Sequence, residues 1–260
     1  MTADTTGAVR MQITDGVALL TLDRPGKLNA MTDEMSRELL GLVARVDADE
    51  SIRVAVLTGA GDRSFCVGSD IAQVGEYADP WQFRNRRDYC TTLRELRKPV
   101  IAAVNGYAYG GGLELALCCD IRLASRTSSF AAAEIKLGWI GGGGVSALLS
   151  ASLPASDAAL LLLTGDPVDA AGAYRMGLVS RLYEPAELLP AALGLAATIA
   201  QRPPIAAQAA KANLLAARNM GLAQAIQYER EMQAICLATR DAAEGRAAFA
   251  EKRPGRFTGR

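Results

Sequence analysis

The stretch NGYAYGGGLELALCCD, residues 105–120, restricts the possible folds of this chain more than any other part of the sequence. Three consecutive glycines lead into an apolar run that contains one carboxylate, Glu114. Strand-like runs flank this stretch at 99–106 and 120–125. A strand, a glycine turn, a helix that is apolar on every side and a second strand predict a buried helix within an α/β core. We therefore expect Glu114 to be partly removed from water.

Other segments extend this interpretation. Asp15-Gly16, between two strand-like runs, is a strong signal for a β-hairpin. Further expected elements are a helix over 32–48, a strand over 54–59, a helix over 80–97 and a strand over 178–183. From Glu184 onward the pattern is helical. The sequence thus predicts an α/β core followed by an all-helical segment.

The composition excludes several classes of function. Lys and Arg together number 28, the same as Asp and Glu, so no bulk attraction to nucleic acid or to an acidic membrane is expected. The chain contains no histidine, which excludes Ser-His-Asp and Cys-His catalysis and histidine metal sites. Any catalysis must use carboxylates, Lys, Tyr, Cys or backbone dipoles.

The cysteine spacing and the hydropathy pattern indicate where in the cell the protein is expected. Five cysteines include no CxxC pair, which fits a reducing cytoplasm. The opening MTADTTGAVR lacks the features of a signal peptide, and no stretch holds about 18 uninterrupted apolar residues, the length of a spanning helix. We expect a cytoplasmic protein without membrane contact.

The glycine loop around residue 110 has the layout of a phosphate-binding motif but not its residues. Gly106 and Gly111 have the glycine spacing of a P-loop, yet Gly112 stands where the lysine should be. A Rossmann fingerprint that begins at Gly110 would need a glycine at the position of Leu115. Neither nucleotide-binding motif is present.

Without a phosphate, the same glycines leave backbone N–H groups accessible at the positive end of a helix dipole. There they can stabilise a carbonyl oxygen that becomes an enolate. The loop SFCVGSDI, after the strand at 54–59, is a candidate for a second donor through Gly68-Ser69. The alternative is that the glycines only permit close packing.

Two carboxylates have apolar neighbours. Glu114 lies in the first turn of the expected helix, and Glu134 follows an alanine run in SSFAAAEIKLGW. Desolvation raises the pKa of such groups toward the range useful for acid–base catalysis. Two carboxylates beside an oxyanion hole suit proton transfer next to a thioester or ketone carbonyl. Ordinary salt-bridged glutamates are the alternative.

Six segments follow one another in the order and spacing of one known family. They are LDRPGKLNAMTDEM, VLTGAGDRSFCVGSDI, KPVIAAVNGYAYGGGLELALCCDIRLAS, FAAAEIKLG, LLTGDPVDAAGAYRMGLVSRL and EGRAAFAEKRPGRF. In these segments the chain resembles the crotonase superfamily, the enoyl-CoA hydratases and isomerases, over nearly its whole length. The third segment resembles the family's most specific signature.

The resemblance implies an α/β fold with a crotonase-like repeated ββα spiral core and a helical C-terminal trimerisation region. Residues 1–195 would form the core with the active site, and residues 196–260 the helical oligomerisation region. The family usually assembles as a trimer or a pair of trimers, so a homotrimer or a dimer of trimers is expected.

The resemblance also implies roles for the residues at the glycine loops. The backbone N–H groups of Ser69 and Gly111 would hold the oxygen of an acyl thioester. Glu134 would exchange the proton at C2, and Glu114 would hold and activate the water that adds at C3. Ser69 replaces the commoner alanine, which should matter little because the backbone N–H does the work.

Further family positions are expected to contact coenzyme A or the acyl chain. These positions are Arg24, Leu28, Ala30, Gly68, Asp70, Ile71, Gly142, Phe249 and Lys252. Ile71 would line the substrate, and Phe249 and Lys252 would reach the nucleotide end, often from a neighbouring subunit. The loop GWIGGGGVSALL around Gly142 lacks the proline usual in the family, which leaves the substrate open.

The resemblance thus predicts an enoyl-CoA hydratase, which adds water reversibly to a trans-2-enoyl-CoA and gives a 3-hydroxyacyl-CoA. Neither a metal nor a separate cofactor is expected, because coenzyme A is part of the substrate. A Δ3–Δ2 enoyl-CoA isomerase needs only one carboxylate, so the presence of both favours the hydratase. A non-catalytic CoA-binding or RNA-binding paralogue is a further alternative, and the zero net charge argues against RNA.

Overall fold

The computed structural model describes residues 7–74, 79–86 and 88–260, which include every candidate site residue named above. Its strands are β1 (Ala8–Thr14), β2 (Val17–Asp23), β3 (Val54–Gly59), β4 (Ser64–Cys66), β5 (Val100–Val104), β6 (Tyr107–Tyr109), β7 (Ile121–Ser125), β8 (Ser129–Ala131), β9 (Val168–Asp169) and β10 (Arg181–Tyr183). Short 3-10 helices cover Pro25–Lys27 and Ala133–Leu137.

The α-helices divide between the core and the C-terminal part. They are α1 (Asp33–Ala48), α2 (Ile71–Val74), α3 (Pro80–Arg84), α4 (Tyr89–Glu95), α5 (Gly111–Cys118), α6 (Val145–Ser152), α7 (Ala155–Thr164), α8 (Ala170–Met176), α9 (Pro185–Ala200), α10 (Pro204–Asn219), α11 (Leu222–Leu237) and α12 (Arg240–Ala250). No helix in the described ranges has the length and apolar character that crossing a membrane requires.

The strands form two sheets, and each structural repeat contributes one strand to each sheet. The first sheet has six strands in the order β1-β2-β3-β5-β7-β10, and the second has four in the order β4-β6-β8-β9. The pairs β3/β4, β5/β6 and β7/β8 each give one strand to either sheet before the chain enters a helical segment. This alternation is the repeated ββα spiral that the resemblance predicted, and the expected α/β fold class is confirmed.

Local sequence signals explain how the first repeat forms. Asp15 and Gly16 adopt φ angles of 49° and 79°, the left-handed conformations that a two-residue hairpin turn needs between β1 and β2. Thr32 caps α1, because its side chain accepts a hydrogen bond from the Met35 N–H at 3.1 Å. The predicted hairpin and the predicted first helix are both confirmed.

The core lies on both faces of the six-stranded sheet. All residues of β3 and β5 are buried, as expected for parallel strands that are covered on two sides. One face packs against α1, α4, α5 and their neighbours. The other face packs against α9 through Leu188, Ala192 and Ala196. The six-stranded sheet is therefore covered on both faces, while the site residues follow β4, β6 and β8 of the four-stranded sheet.

Three sequence-based boundaries were wrong. Two helices, α3 and α4, replace the single helix expected over 80–97, because Asp88 starts a new helix by accepting hydrogen bonds from the N–H groups of Cys90 and Thr91. The strand expected over 99–106 ends at Val104, and the chain then changes sheet. The strand expected over 178–183 covers only its last three residues.

The C-terminal part is helical, as predicted. The division expected between residues 195 and 196 falls inside α9, which packs on the sheet. Lys211 on α10 connects the following helices to the core, since its Nζ lies 2.9 Å from Asp120 Oδ2 and donates to the Lys98 carbonyl at 3.0 Å. Helices α10 and α11 expose large apolar side chains: Leu214, Leu222, Ile226, Ile235 and Leu237. The oligomerisation role of this region stays a prediction.

Candidate active site

The glycines before α5 allow three segments to meet. Gly110 has φ 52° and ψ −126°, a conformation that favours glycine, and it turns the chain from β6 into the helix. A Cβ on Gly112 would overlap the carbonyl of Cys66. A Cβ on Gly111 would overlap the Tyr89 hydroxyl and lie 3.2 Å from the Cα of Gly68. Close packing, the alternative explanation of the glycines, is therefore also true, and it brings the loop of Gly68 against the helix N-terminus.

The segments that carry the Ser69 and Gly111 N–H groups touch at this contact. A Cβ on Gly68 would stand 2.8 Å from the Gly111 nitrogen, so the donors of Gly111 and Ser69 come from touching segments. The neighbours of Ser69 are fixed by Met31, which donates to the Gly68 carbonyl and accepts from the Asp70 N–H, both at 2.8 Å. Within the described residues, the N–H groups of Ser69 and Gly111 have no hydrogen-bond acceptor. They are the two donors predicted for an oxyanion hole, and that role stays a prediction.

Glu114 is held from the loop after the second carboxylate. Its side chain is 5% exposed, and its Oε1 accepts hydrogen bonds from the N–H groups of Gly143 at 2.8 Å and Val145 at 3.2 Å. Burial, and then the nearby charge of Glu134, raise the pKa of Glu114 to about 7. Both of its protonation states are therefore accessible near neutral pH.

Glu134 lies on the 3-10 helix that follows β8, half-buried and close to the glycine turn. Its Oε1 would be 3.3 Å from a Cβ on Gly110. Burial raises the pKa of Glu134 as well. Its Oε2 is buried and has no hydrogen-bond partner among the described residues. An unpaired buried oxygen carries a desolvation penalty, which is smaller when the carboxyl group is protonated.

The two carboxylates meet at Gly141. A Cβ there would lie 2.5 Å from Glu114 Oε1 and 3.0 Å from Glu134 Oε1. A Cβ on Gly143 would lie 2.6 Å from Glu114 Oε2. The structure thus brings together Glu114, Glu134 and the loop of four glycines. In the described part of the chain no group of His, Cys, Asp and Glu has an arrangement that suits a metal ion.

The predicted coenzyme A contacts in the loop after β2 lie around an ion pair between Arg24 and Asp70. Arg24 is 8% exposed, and its Nη1 donates to Asp70 Oδ2 at 2.8 Å and to the Ala30 carbonyl at 3.3 Å. The hydrogen bond from Arg24 lowers the pKa of Asp70. Ala30 is buried, and Leu28 is half-buried with φ 53°. These contacts hold the Ser69 loop against the loop after β2. Contact with coenzyme A stays a prediction for each of these residues.

Ile71 and Gly142 are both exposed, and Gly142 belongs to the glycine loop that contacts the carboxylates. Ile71 begins α2 directly after Asp70 and is 61% exposed. Gly142 is exposed, and a Cβ on it would lie 3.2 Å from Arg86 Nη2. Both positions agree with a surface that a substrate can reach, and their contacts with an acyl chain stay predictions.

The C-terminal candidates lie at the end of α12. Phe249 is 88% exposed, and the Lys252 N–H donates to its carbonyl at 3.3 Å. The neighbouring Arg253 is paired with Glu244 and Glu251. The hydrogen bonds of Arg253 and of the Arg256 N–H lower the pKa of Glu244 to about 2. A role of Phe249 or Lys252 at a nucleotide stays a prediction.

Sequence reasoning missed three contributors to the site. It noted the glycine run but not that Gly141 and Gly143 allow the loop to touch the carboxylates. It did not identify the Val145 N–H as a donor to Glu114, or Tyr89 as a neighbour of the oxyanion loop. The glycine run itself was the available signal, whereas nothing in the local pattern indicates Tyr89.

Comparisons with known proteins agree with this geometry. A model of the enoyl-CoA hydratase/isomerase family matches residues 12–260. The (E)-benzylidenesuccinyl-CoA hydratase of Thauera aromatica is 38% identical over 96% of this chain and 99% of its own length. The crotonyl-CoA hydratase of Syntrophomonas wolfei is 35% identical over 93% of this chain and 94% of its own length.

A solved structure shows the same architecture. The crystal structure of the enoyl-CoA hydratase from Bacillus anthracis superposes with a TM-score of 0.92, at 30% identity, over 98% of this chain and 100% of the other. The match covers the spiral core and the C-terminal helices alike. With the family model across nearly all of the sequence, it follows that the chain belongs to the enoyl-CoA hydratase/isomerase family.

Proposed function

We propose that this protein is an enoyl-CoA hydratase, which adds water reversibly across the C2–C3 double bond of a trans-2-enoyl-CoA. The observation that carries the proposal is the meeting of Glu114 and Glu134 at Gly141, beside the N–H groups of Ser69 and Gly111, which have no acceptor within the described residues. The relatives named above, which act on benzylidenesuccinyl-CoA and crotonyl-CoA according to their names, support this reaction class.

The oxyanion hole polarises the substrate. The N–H groups of Ser69 and Gly111 bind the thioester oxygen, on which negative charge develops as C3 is attacked. Removing one donor of this kind typically costs about 2.7–4 kcal/mol of transition-state stabilisation. The helix α5 adds the positive end of its dipole on the same side.

The two carboxylates then carry the proton transfers. Glu114, as a carboxylate, takes one proton from a water molecule, and the hydroxide oxygen bonds to C3. Glu134, in its protonated form, gives its proton to C2. The product gains one water, and the proton that Glu114 took then passes to Glu134, which returns both groups to their starting states. The raised pKa values of both groups favour a shared proton near neutral pH.

The isomerase alternative needs a single base at C2 and C4. The two hydrogen bonds that hold Glu114 Oε1, from Gly143 and Val145, position this second carboxylate for a water molecule, which isomerisation does not use. The equal numbers of acidic and basic residues give no support to an RNA-binding function.

The expected assembly and location belong to the same proposal. No cofactor is proposed beyond the coenzyme A of the substrate. Two observations support a homotrimer or dimer of trimers in the cytoplasm, with residues 196–260 in oligomerisation. Helices α10 and α11 expose large apolar side chains, and the described cysteines are all free.

Purified protein with crotonyl-CoA, longer enoyl-CoAs and aryl-substituted enoyl-CoAs tests the proposal. The absorbance of the conjugated thioester should fall, and mass spectrometry should show a product heavier by one water. Glu114→Gln and Glu134→Gln should each lower kcat by about 100-fold or more, while the exposed control Glu187→Gln keeps full activity. Wild-type protein that hydrates none of the panel contradicts the proposal.

A further inference from the structure

Tyr89 is a buried phenol that touches both residues of the oxyanion pair. Its hydroxyl lies 3.0 Å from Ser69 Oγ, and it occupies the space that a Cβ on Gly111 would need. The side chain is 8% exposed. One hydroxyl therefore connects the segments that supply the two N–H groups, although it stands outside the reaction steps described above.

The helix that carries Tyr89 is itself fixed to the same place. Asp88 caps α4 by accepting from the Cys90 N–H at 2.7 Å and the Thr91 N–H at 3.3 Å. The next residue, Cys90, directs its thiol to the Gly111 carbonyl at 3.7 Å. Two residues of the first turn of α4, Tyr89 and Cys90, therefore contact Gly111.

The hydroxyl pair has a constant protonation state. Burial is the main reason that the pKa of Tyr89 is raised well above its ordinary value, so the phenol stays neutral at any working pH. Tyr89 and Ser69 can then donate in either direction without a change in charge.

We propose that Tyr89 and the Ser69 hydroxyl form a positioning pair that keeps the two oxyanion N–H groups aligned on the thioester oxygen. The inference rests on the proposed function and deepens it. It assigns a positioning role to the Ser69 side chain, whereas the family resemblance suggested that replacement of alanine by serine at this position should matter little. This role follows from the geometry, because the hydrogen bond between the Ser69 and Tyr89 hydroxyls fixes the Ser69 backbone relative to Gly111.

Three variants test the pair: Tyr89→Phe, Ser69→Ala and the double variant. Each single variant should lower kcat by about tenfold and leave KM within about twofold, because the donors lose alignment in the transition state while the rest of the substrate binds normally. The double variant should be no slower than the singles, since both remove the same hydrogen bond. Tyr109→Phe is the matched control, because it removes another tyrosine–serine hydrogen bond, to Ser129 at 3.1 Å, and should keep full kcat.

A spectroscopic measurement separates alignment from general stability. Bound para-dimethylaminocinnamoyl-CoA absorbs at longer wavelength when its carbonyl is polarised, and Tyr89→Phe and Ser69→Ala should reduce this shift. Unchanged kcat and an unchanged shift in both variants, or losses that multiply in the double variant, overturn the inference. If Tyr89→Phe does not fold, Ser69→Ala alone decides, because it removes the same bond with the smaller change. If the wild-type protein shifts the absorbance of the bound thioester but hydrates no enoyl-CoA, the proposed function is contradicted and the Tyr89–Ser69 pair is not.

Discussion

The carboxylates of Glu114 and Glu134 come together at a single backbone position. A Cβ on Gly141 would lie 2.5 Å from Glu114 Oε1 and 3.0 Å from Glu134 Oε1, although the two glutamates belong to different repeats of the spiral. Their proximity contributes to the raised pKa of Glu114. The absence of a side chain at residue 141 is therefore part of the geometry of the proposed proton-transfer pair.

Gly141→Ala should disrupt this arrangement. The added methyl group cannot fit beside the two oxygens, so one carboxylate must move, and a shift of about 1 Å is enough to lower kcat by about 100-fold. Steady-state kinetics with crotonyl-CoA measures the loss. Gly41→Ala is the control, because a Cβ on Gly41 in α1 meets no atom within 4 Å. A Gly141→Ala enzyme as active as Gly41→Ala would show that the contact is irrelevant.

The activity should depend on pH as expected for a pair of carboxylates that share a proton. Hydration needs Glu114 ionised and Glu134 protonated, and burial raises the pKa of both. The profile of kcat/KM should be bell-shaped, with a fall on the acidic side as the pair takes a second proton and a fall on the alkaline side as it loses the last one. A profile that is flat from about pH 5 to about pH 9 would be incompatible with this mechanism.

The Glu114 carboxyl group should make the stability of the folded protein fall as the pH rises. The pKa of Glu114 rises from 4.5 to about 7 in the folded protein. Its contribution to stability is therefore complete below about pH 4.5 and is lost as the pH rises to about 7, because the unfolded chain releases the proton first. Glu114→Gln has no proton to lose and keeps an oxygen for the N–H groups of Gly143 and Val145.

Thermal unfolding at several pH values measures this effect. The melting temperature of Glu114→Gln, relative to wild type, should be higher at about pH 8 than at about pH 5. The opposite order, with the variant relatively weaker at alkaline pH, would mean that the Glu114 carboxylate is stabilised by its surroundings.

The link between α10 and the core makes a prediction about folding. Lys211 is 5% exposed and lies 2.9 Å from Asp120 Oδ2, which also accepts from the Val100 N–H at 2.7 Å. Lys211→Met leaves the Asp120 charge without its cation and should destabilise the protein by about 3 kcal/mol in urea unfolding. The exposed pair Arg126–Glu184 supplies the control, since Arg126→Met should cost about 0–1 kcal/mol. Equal losses in the two variants would argue against a structural role for the Lys211–Asp120 pair.

Much of the fold and part of the site follow from local sequence signals. Asp15-Gly16, the cap at Thr32 and the apolar runs of β3 and β5 act over a few residues, so the hairpin, the first helix and the buried strands could be predicted. The apolar surroundings of Glu114 were enough to predict its burial, and the structure agrees.

The remainder depends on contacts between segments that are distant in sequence. The break between α3 and α4 arises from the Asp88 cap, which a helical pattern over 80–97 conceals. The hydrogen bond between Tyr89 and Ser69, and the contact of Gly141 with both carboxylates, form only when the repeats stack. No periodicity in the sequence encodes such contacts, because they depend on the path of the loops in three dimensions.

Isotope labelling tests the central claim most directly. Crotonyl-CoA is incubated with the enzyme in heavy-oxygen water and, separately, in deuterated water, and the acyl product is analysed by mass spectrometry. If Glu114 activates water and Glu134 protonates C2, the product carries one solvent oxygen at C3 and one solvent deuterium at C2, and Glu114→Gln loses both labels. Deuterium in the acyl chain without solvent oxygen, in the wild-type enzyme, would contradict hydration by this pair of carboxylates.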